Sequence, residues 1–128
     1  MQILLDTQAF LWLSIYSPFL SKKSKEIFLN EKNNLYLSLV SIWEMAIKAS
    51  LGKLKVNQSV EKFVVNQLRE NGISQLNIDF RHVARVESLP FHHRDPFDRL
   101  LISQALEEKI PILSNDTLFD LYNIKRIW

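Results

Sequence analysis

The chain has 128 residues, a net charge of +2, two glycines and no cysteine. A chain of this length buries roughly two-thirds of its unfolded surface, enough for one core, and reads as a single domain over residues 1–128. The composition excludes disulfides, thiolate zinc sites and cysteine nucleophiles, argues against glycine-rich phosphate loops, accords with a reducing cytoplasm, and is too weakly basic to mark a nucleic-acid binder by itself.

Residues 2–5, containing Ile3-Leu4-Leu5, read as a short buried strand ended by Asp6. No basic residue precedes Asp6, so the N-terminus lacks a secretory pattern. Residues 9–15 read as a helix stopped near Pro18. The run 9–20 carries Ser14, Tyr16 and Pro18 and is too short and mixed to span a membrane. Ser21 caps a helix over 22–30, followed by the polar turn 31–34. Residues 35–38 form a second strand, and 42–50 a helix whose C′ position suits Gly52. Ser59 caps a further helix, in which Val60, Phe63, Val64, Gln67 and Leu68 follow helical spacing up to the stop Asn71-Gly72. A short strand over 75–78 precedes a helix over 80–87. Residues 89–94, with Pro90 and two histidines, form a loop. Pro96 opens a helix to about residue 108, and 110–113 and 125–128 are the last strands. Strands alternating with helices predict an α/β fold, a three-layer α/β/α sandwich around a central parallel sheet with right-handed crossovers.

Four carboxylates, Asp6, Glu44, Asp98 and Asp116, fall near junctions between strands and helices. In an open α/β sheet the loops beyond the carboxyl ends of the strands share one edge, where ligands bind. Each acid also has a local explanation. Asp6 suits an N-cap, and Ser41-Ile42-Trp43-Glu44 has capping-box spacing. Asp98 lies in the first turn after the cap Asp95, and Asp116 within Ser114-Asn115-Asp116-Thr117 suits a turn. A cap suffices for each acid singly. Four acids at the same kind of junction point to one volume, where like charges raise one another's pKa unless a cation neutralises them. Oxygen-only ligation with spare water positions suits Mg²⁺ or Mn²⁺ and phosphate chemistry. Asp95 is read as the structural cap and Asp120 as a solvated residue.

Basic residues cluster at Lys22, Lys23 and Lys25, at Lys48, Lys53 and Lys55, and at Arg94, Arg99, Lys125 and Arg126. A basic rim would hold a polyanion by its phosphates, although solvated helix faces explain any one cluster. Lys48 pairs with Glu44 at i,i+4 or contacts a phosphate beside the metal. His82 reads as a surface or packed residue. His92 and His93 lie in a loop beside the acids, where they serve either as a general acid and base or as loop-fixing hydrogen-bond partners.

Several blocks resemble those of PIN-domain proteins: Leu4-Leu5-Asp6-Thr7-Gln8-Ala9-Phe10-Leu11-Trp12, Ser41-Ile42-Trp43-Glu44-Met45-Ala46-Ile47-Lys48, Leu51-Gly52-Lys53-Leu54, His93-Arg94-Asp95-Pro96-Phe97-Asp98-Arg99-Leu100-Leu101-Ile102, and Ser114-Asn115-Asp116. The toxin branch called VapC-type is the most similar, and the likeness spans essentially the whole chain. Gln8 stands where a histidine is common and Ser103 where alanine is common. The resemblance implies an α/β/α sandwich and Mg²⁺- or Mn²⁺-dependent endoribonuclease activity as the toxin of a toxin–antitoxin pair. It places the catalytic and metal-binding quartet on Asp6, Glu44, Asp98 and Asp116, with Thr7 and Ser114 as neighbouring polar contacts. It implies a homodimer inhibited by a small cognate antitoxin, with RNA as substrate. That substrate is expected to meet Thr7, Lys48, Arg99 and Ser114. Two other readings stay open: a metal-independent ribonuclease using His92 and His93, and a PIN-like module that only binds RNA or protein. Phe10, Trp12, Phe19 and Trp43 present more aromatic surface than two short helices bury, which marks a partner site. Trp43 is expected to face away from Glu44, towards the sheet.

Overall fold

The computed structural model describes residues 1–128. Five parallel strands, β1 (Gln2–Leu5), β2 (Asn34–Ser38), β3 (Ser74–Leu76), β4 (Ile112–Leu113) and β5 (Arg126–Ile127), lie in the order β3-β2-β1-β4-β5. Six helices accompany them: α1 (Thr7–Ser14), α2 (Lys22–Leu29), α3 (Leu39–Ser50), α4 (Val60–Asn71), α5 (Phe80–Arg85) and α6 (Pro96–Glu108). Short 3₁₀ turns follow at Val86–Ser88 and Thr117–Leu121. No helix is long and apolar enough to cross a membrane.

Strand side chains alternate between faces, so the central strands feed two cores. Ile3, Leu5, Leu35, Leu37, Leu113 and Ile127 pack with residues of α1, α3 and α4, including Phe10, Met45 and Val64. On the other face Leu4 and Ile112 pack with Leu101, Ile102 and Ala105 of α6 and with Phe119. Both faces are covered, as continuous apolar strands require, giving the expected three-layer sandwich.

Side-chain caps set most helix starts. Ser21, Ser59 and Asp95 accept first-turn N–H groups from Ser24, Lys62 and both Phe97 and Asp98, respectively. Gly72 ends α4 with φ +62°, and Gly52 follows α3 with φ +71°, the left-handed conformation that glycine adopts without a Cβ clash. Several boundaries differ from expectation: strand β4 is two residues shorter, β5 loses one residue at each end, and α1 begins at Thr7 rather than residue 9. Strand β3 begins one residue before position 75 and stops at Leu76, α5 gives way to a 3₁₀ turn after Arg85, and α3 starts at Leu39 rather than residue 42. The α3 cap is Ser38, whose hydroxyl accepts Val40 N–H at 3.0 Å and also bonds Gln104 of α6.

The connection between α5 and α6 wraps around one side chain. Arg99, expected to contact substrate, is buried and donates to four backbone carbonyls: Pro90 at 2.9 Å, His93 at 3.2 Å, Val86 at 3.3 Å and Leu89 at 3.1 Å. One helical residue beyond Asp98, its side chain leaves α6 about 100° round from that acid, which carries it to the loop. Tyr122 closes the same loop, accepting His93 N–H at 2.9 Å and donating to Pro90 O at 2.6 Å. Arg99 is therefore a loop anchor, and Arg99→Met should leave several carbonyls without a donor. The expected loss is about 3 kcal/mol in urea unfolding, with little recovery in Arg99→Lys because an ammonium cannot span the same acceptors. A loss below ~1 kcal/mol would remove Arg99 from this role.

Candidate active site

Strand β1 has β2 on one side and β4 on the other, so the order of connection reverses beside it. The crevice beyond the carboxyl ends of β1 and β4 is where such a sheet accepts ligands. Asp6 directly follows β1, and Ser114, Asn115 and Asp116 follow β4. Glu44 reaches the crevice from α3 and Asp98 from the first turn of α6. All four acids, with Thr7, Gln8, Lys48 and Asp95, line one cleft of about 270 Å³. Lys48 is the only basic residue in its wall. Arg126 forks onto Asp120 at 2.8 and 3.1 Å and donates to Ser114 O at 3.0 Å, beside the acids, whereas Lys125 lines a separate cavity with Arg85 and Lys109.

Asp6 is both a cap and a cleft residue. Its Oδ1 accepts Ala9 N–H at 2.7 Å, while Oδ2 accepts the Ser114 hydroxyl. Burial pushes its pKa up to about 6 against those two hydrogen bonds, and the charges of Asp116 and Glu44 add to the rise. Asp98 is pushed up to about 7, first by burial and then by Asp95, with His93 opposing and Asp6 and Glu44 reinforcing. Asp116 caps the last 3₁₀ turn through Oδ1, which accepts Leu118 N–H at 3.0 Å.

Glu44 corrects a local reading. Because α3 is capped by Ser38, Ser41 lies inside the helix and the pair forms no capping box. Glu44 is instead a buried mid-helix carboxylate facing the cleft. Its Oε1 accepts the Thr7 hydroxyl at 2.7 Å, and its Oε2 pairs with Lys48 Nζ at 2.6 Å. Neither Glu44 nor Asp98 caps a helix; Asp6 and Asp116 do. The Glu44 contact raises the Lys48 pKa, and half of that lysine side chain remains exposed.

Thr7 and Ser114, expected as polar neighbours of the quartet, contact it directly. Ser114 is fully buried, donating to Asp6 and accepting Asp116 N–H at 3.0 Å. Thr7 lines the cleft but commits its hydroxyl to Glu44. The two histidines separate. His92 is exposed with its ring against Tyr122, whereas His93 is buried with Nε2 2.9 Å from Asp116 Oδ2 and 3.1 Å from Asp98 Oδ2. A catalytic pair made from both is not assembled.

The aromatic residues also divide. Phe10 is buried in the core, edge-on to Phe63 at 6.1 Å. Trp12 packs between Phe19 and Trp128. Trp43 does not face the sheet; it is 55% exposed, with its ring edge-on to Phe97 at 4.9 Å.

The cleft thus offers carboxylate oxygens from four distant segments and one lysine to balance them. That donor set fits a hard divalent cation. The PIN domain family model matches residues 3–125. The chain belongs to the PIN-domain family. It is 34% identical over 62 residues to Ribonuclease VapC16 of Mycobacterium tuberculosis, a stretch covering 48% of this chain and 44% of that protein. The match therefore spans less than half of the relative's length. Its fold is similar to that of VapBC2 from Rickettsia felis bound to a promoter DNA fragment, with TM-score 0.75, 15% identity and coverage of 99% of this chain and 98% of the other. DNA-bound VapBC from Salmonella typhimurium gives 0.68 at 16% identity, covering 99% and 97% of the two chains. FitAcB from Neisseria gonorrhoeae gives 0.66 at 17% identity, covering 98% and 96%.

Metal-free protein should show the raised acids in its pH dependence. With pKa values of about 6 and 7 in place of 3.8, Asp6 and Asp98 hold protons in the folded state that the unfolded chain has released. Their contribution to stability therefore falls as pH rises from about 4 to about 7 and is level above that. Relative to Asp98→Asn, the wild type should lose stability across this window in chelator-treated urea titrations. A difference that stays flat or rises with pH would show that Asp98 titrates normally.

Proposed function

We propose that this PIN-domain chain is a Mg²⁺- or Mn²⁺-dependent endoribonuclease and the toxin of a toxin–antitoxin pair. The observation that carries this reading is the convergence of Asp6, Glu44, Asp98 and Asp116 on one cleft at the switch point of the sheet, with Glu44 placed there by nothing local. These four acids would hold the cation. When bound, a divalent ion supplies Lewis acidity towards a phosphodiester and lowers the pKa of a water. Lys48 Nζ, half exposed at the cleft wall, offers a donor to a phosphate oxygen. Thr7 and Ser114 fix the orientation of Glu44 and Asp6, so the carboxylates need not reorganise when substrate arrives. Choice of RNA over other phosphodiesters is supported by the relative named as a ribonuclease and by the sequence blocks shared with VapC-type toxins. A module that only binds has no use for four mutually repelling acids at one crevice.

The partner reading has structural support of its own. A groove of about 570 Å³ adjoins the acidic cleft through Gln8 and Leu11 and is lined by Trp12, Ile15, Leu54 and Phe63. An apolar segment of a small antitoxin would fill it and place a basic side chain among the acids, in competition with the metal. Fold likeness to VapBC and FitAcB structures accords with such a partner. The exposed Trp43 and the exposed Phe80 and Val83 of α5 are apolar surface that a homodimer would cover.

Addition of Mg²⁺ or Mn²⁺ should raise the melting temperature, because an ion that binds the folded chain alone stabilises it. Asp6→Asn should lose most of that rise and keep the fold; an unchanged response would remove Asp6 from the metal site. Glu44→Gln should lower the RNA cleavage rate at least ~100-fold while circular dichroism stays native, since it removes a ligand charge and keeps the shape. Full activity in a folded Glu44→Gln protein would return Glu44 to a structural role. In sedimentation the chain should run as a homodimer, and a monomer at high concentration would sink that part of the proposal.

A further inference from the structure

The ring nitrogen Nε2 of His93 and the carboxylates of Asp98 and Asp116 form a group whose candidate ligand atoms all lie within 4.8 Å of one another. An imidazole-plus-two-carboxylate metal site has the same spacing, so distance alone does not say whether His93 is a ligand. The hydrogen bonds do. Asp95 N–H donates to His93 Nδ1 at 3.3 Å, which commits the Nδ1 lone pair to the backbone. A neutral imidazole carries one proton, so that proton is on Nε2. Nε2–H then points between Asp116 Oδ2 at 2.9 Å and Asp98 Oδ2 at 3.1 Å. Coordination through Nε2 would require the proton to move to Nδ1, where it would meet the Asp95 N–H.

The residue is also anchored through its backbone and packed through its ring. His93 N–H donates to the Tyr122 hydroxyl, His93 O accepts from Arg99, and the ring packs at 5.6 Å on Phe119. Rotation of the side chain to offer a different atom would break the packing on Phe119 and the hydrogen bonds at both ring nitrogens.

We infer that His93 is a positioning residue which keeps its Nε2 proton when the cation is bound and uses it to hold Asp98 and Asp116 together. This inference rests on the metal-site reading above and adds to it the device that sets two of the four acids. It leaves the cation to oxygen atoms alone, which keeps the site selective for hard ions such as Mg²⁺ and Mn²⁺ rather than Zn²⁺.

The test uses the full ¹⁵N-labelled chain. Long-range ¹H–¹⁵N imidazole spectra, recorded without metal and with saturating Mg²⁺, should show His93 protonated at Nε2 and bare at Nδ1 in both states. Calorimetry with Mn²⁺ should show roughly 10- to 100-fold weaker binding in His93→Ala, the usual cost of losing a group that orients metal ligands. His93→Gln, whose amide N–H can reach the same carboxylates, should recover most of that loss. Disappearance of the Nε2 proton on Mg²⁺ addition would make His93 a ligand and overturn the inference. So would a metal-free spectrum with the proton on Nδ1, or a His93→Gln variant that binds as weakly as His93→Ala. Should His93→Ala fail to fold, the wild-type spectra and His93→Gln decide. A wild-type chain that takes up neither Mg²⁺ nor Mn²⁺ in calorimetry would overturn the metal-site reading itself, and the inference with it. That failure is read from binding and is distinct from any change of tautomer.

Discussion

Five carboxylates, the quartet and Asp95, share one small cleft with a single lysine in its wall, and their mutual repulsion is the constraint to which the surrounding structure responds. Almost every oxygen is tied down. Asp6 is held by Ala9 N–H and Ser114, Glu44 by Thr7 and Lys48, and Asp95 by the first-turn amides of α6. Asp116 is held by Leu118 N–H and His93. Asp98 has the weakest set of partners and the most perturbed carboxyl. Fixed dipoles and helix N-termini thus take up part of the charge, and the proposed cation would neutralise what remains. Folding and the proposed ion binding would therefore draw on the same groups.

The parallel sheet and most helix limits were legible because their signals are local: strand runs, serine and aspartate caps, Pro96 and the two glycines. The start of α3 was not, since Ser38 and Ser41 are equally good caps in isolation. Ser38 prevails because its hydroxyl also bonds Gln104, which lies 66 residues away in sequence. Glu44 consequently sits deeper in the helix than its sequence neighbours imply. All four acids were visible as candidates, yet the roles of the residues beside them were not. Arg99 and Ser114 adjoin or nearly adjoin acids in sequence but are buried, one beneath a loop and one behind Asp6. Phe10, read as surface, belongs to the buried stripe of α1 with Ala9 and Leu13. Helical rotation and tertiary hydrogen bonds, neither of which leaves a local trace, account for these differences.

The loop that carries His93 shows how the two halves of the problem are joined. A buried guanidinium with four carbonyl acceptors, and a tyrosine that both accepts and donates, tie down an irregular segment. The precision of a side chain on a loop depends on such support, because loops otherwise carry the mobile part of a fold. Arg99 and Tyr122 touch no acid of the cleft, but they determine where the imidazole stands.

The edge-on pair of Trp43 and Phe97 has an optical consequence. Each ring belongs to the residue immediately before an acid, Glu44 on α3 and Asp98 on α6, so their separation follows that between the two helices. The other two indoles, Trp12 and Trp128, are packed against each other. One of the three indoles therefore stands apart, half in solvent, between the helices that carry Glu44 and Asp98. Emission from Trp43 gives the native chain its own label for the closing or opening of the space between those helices.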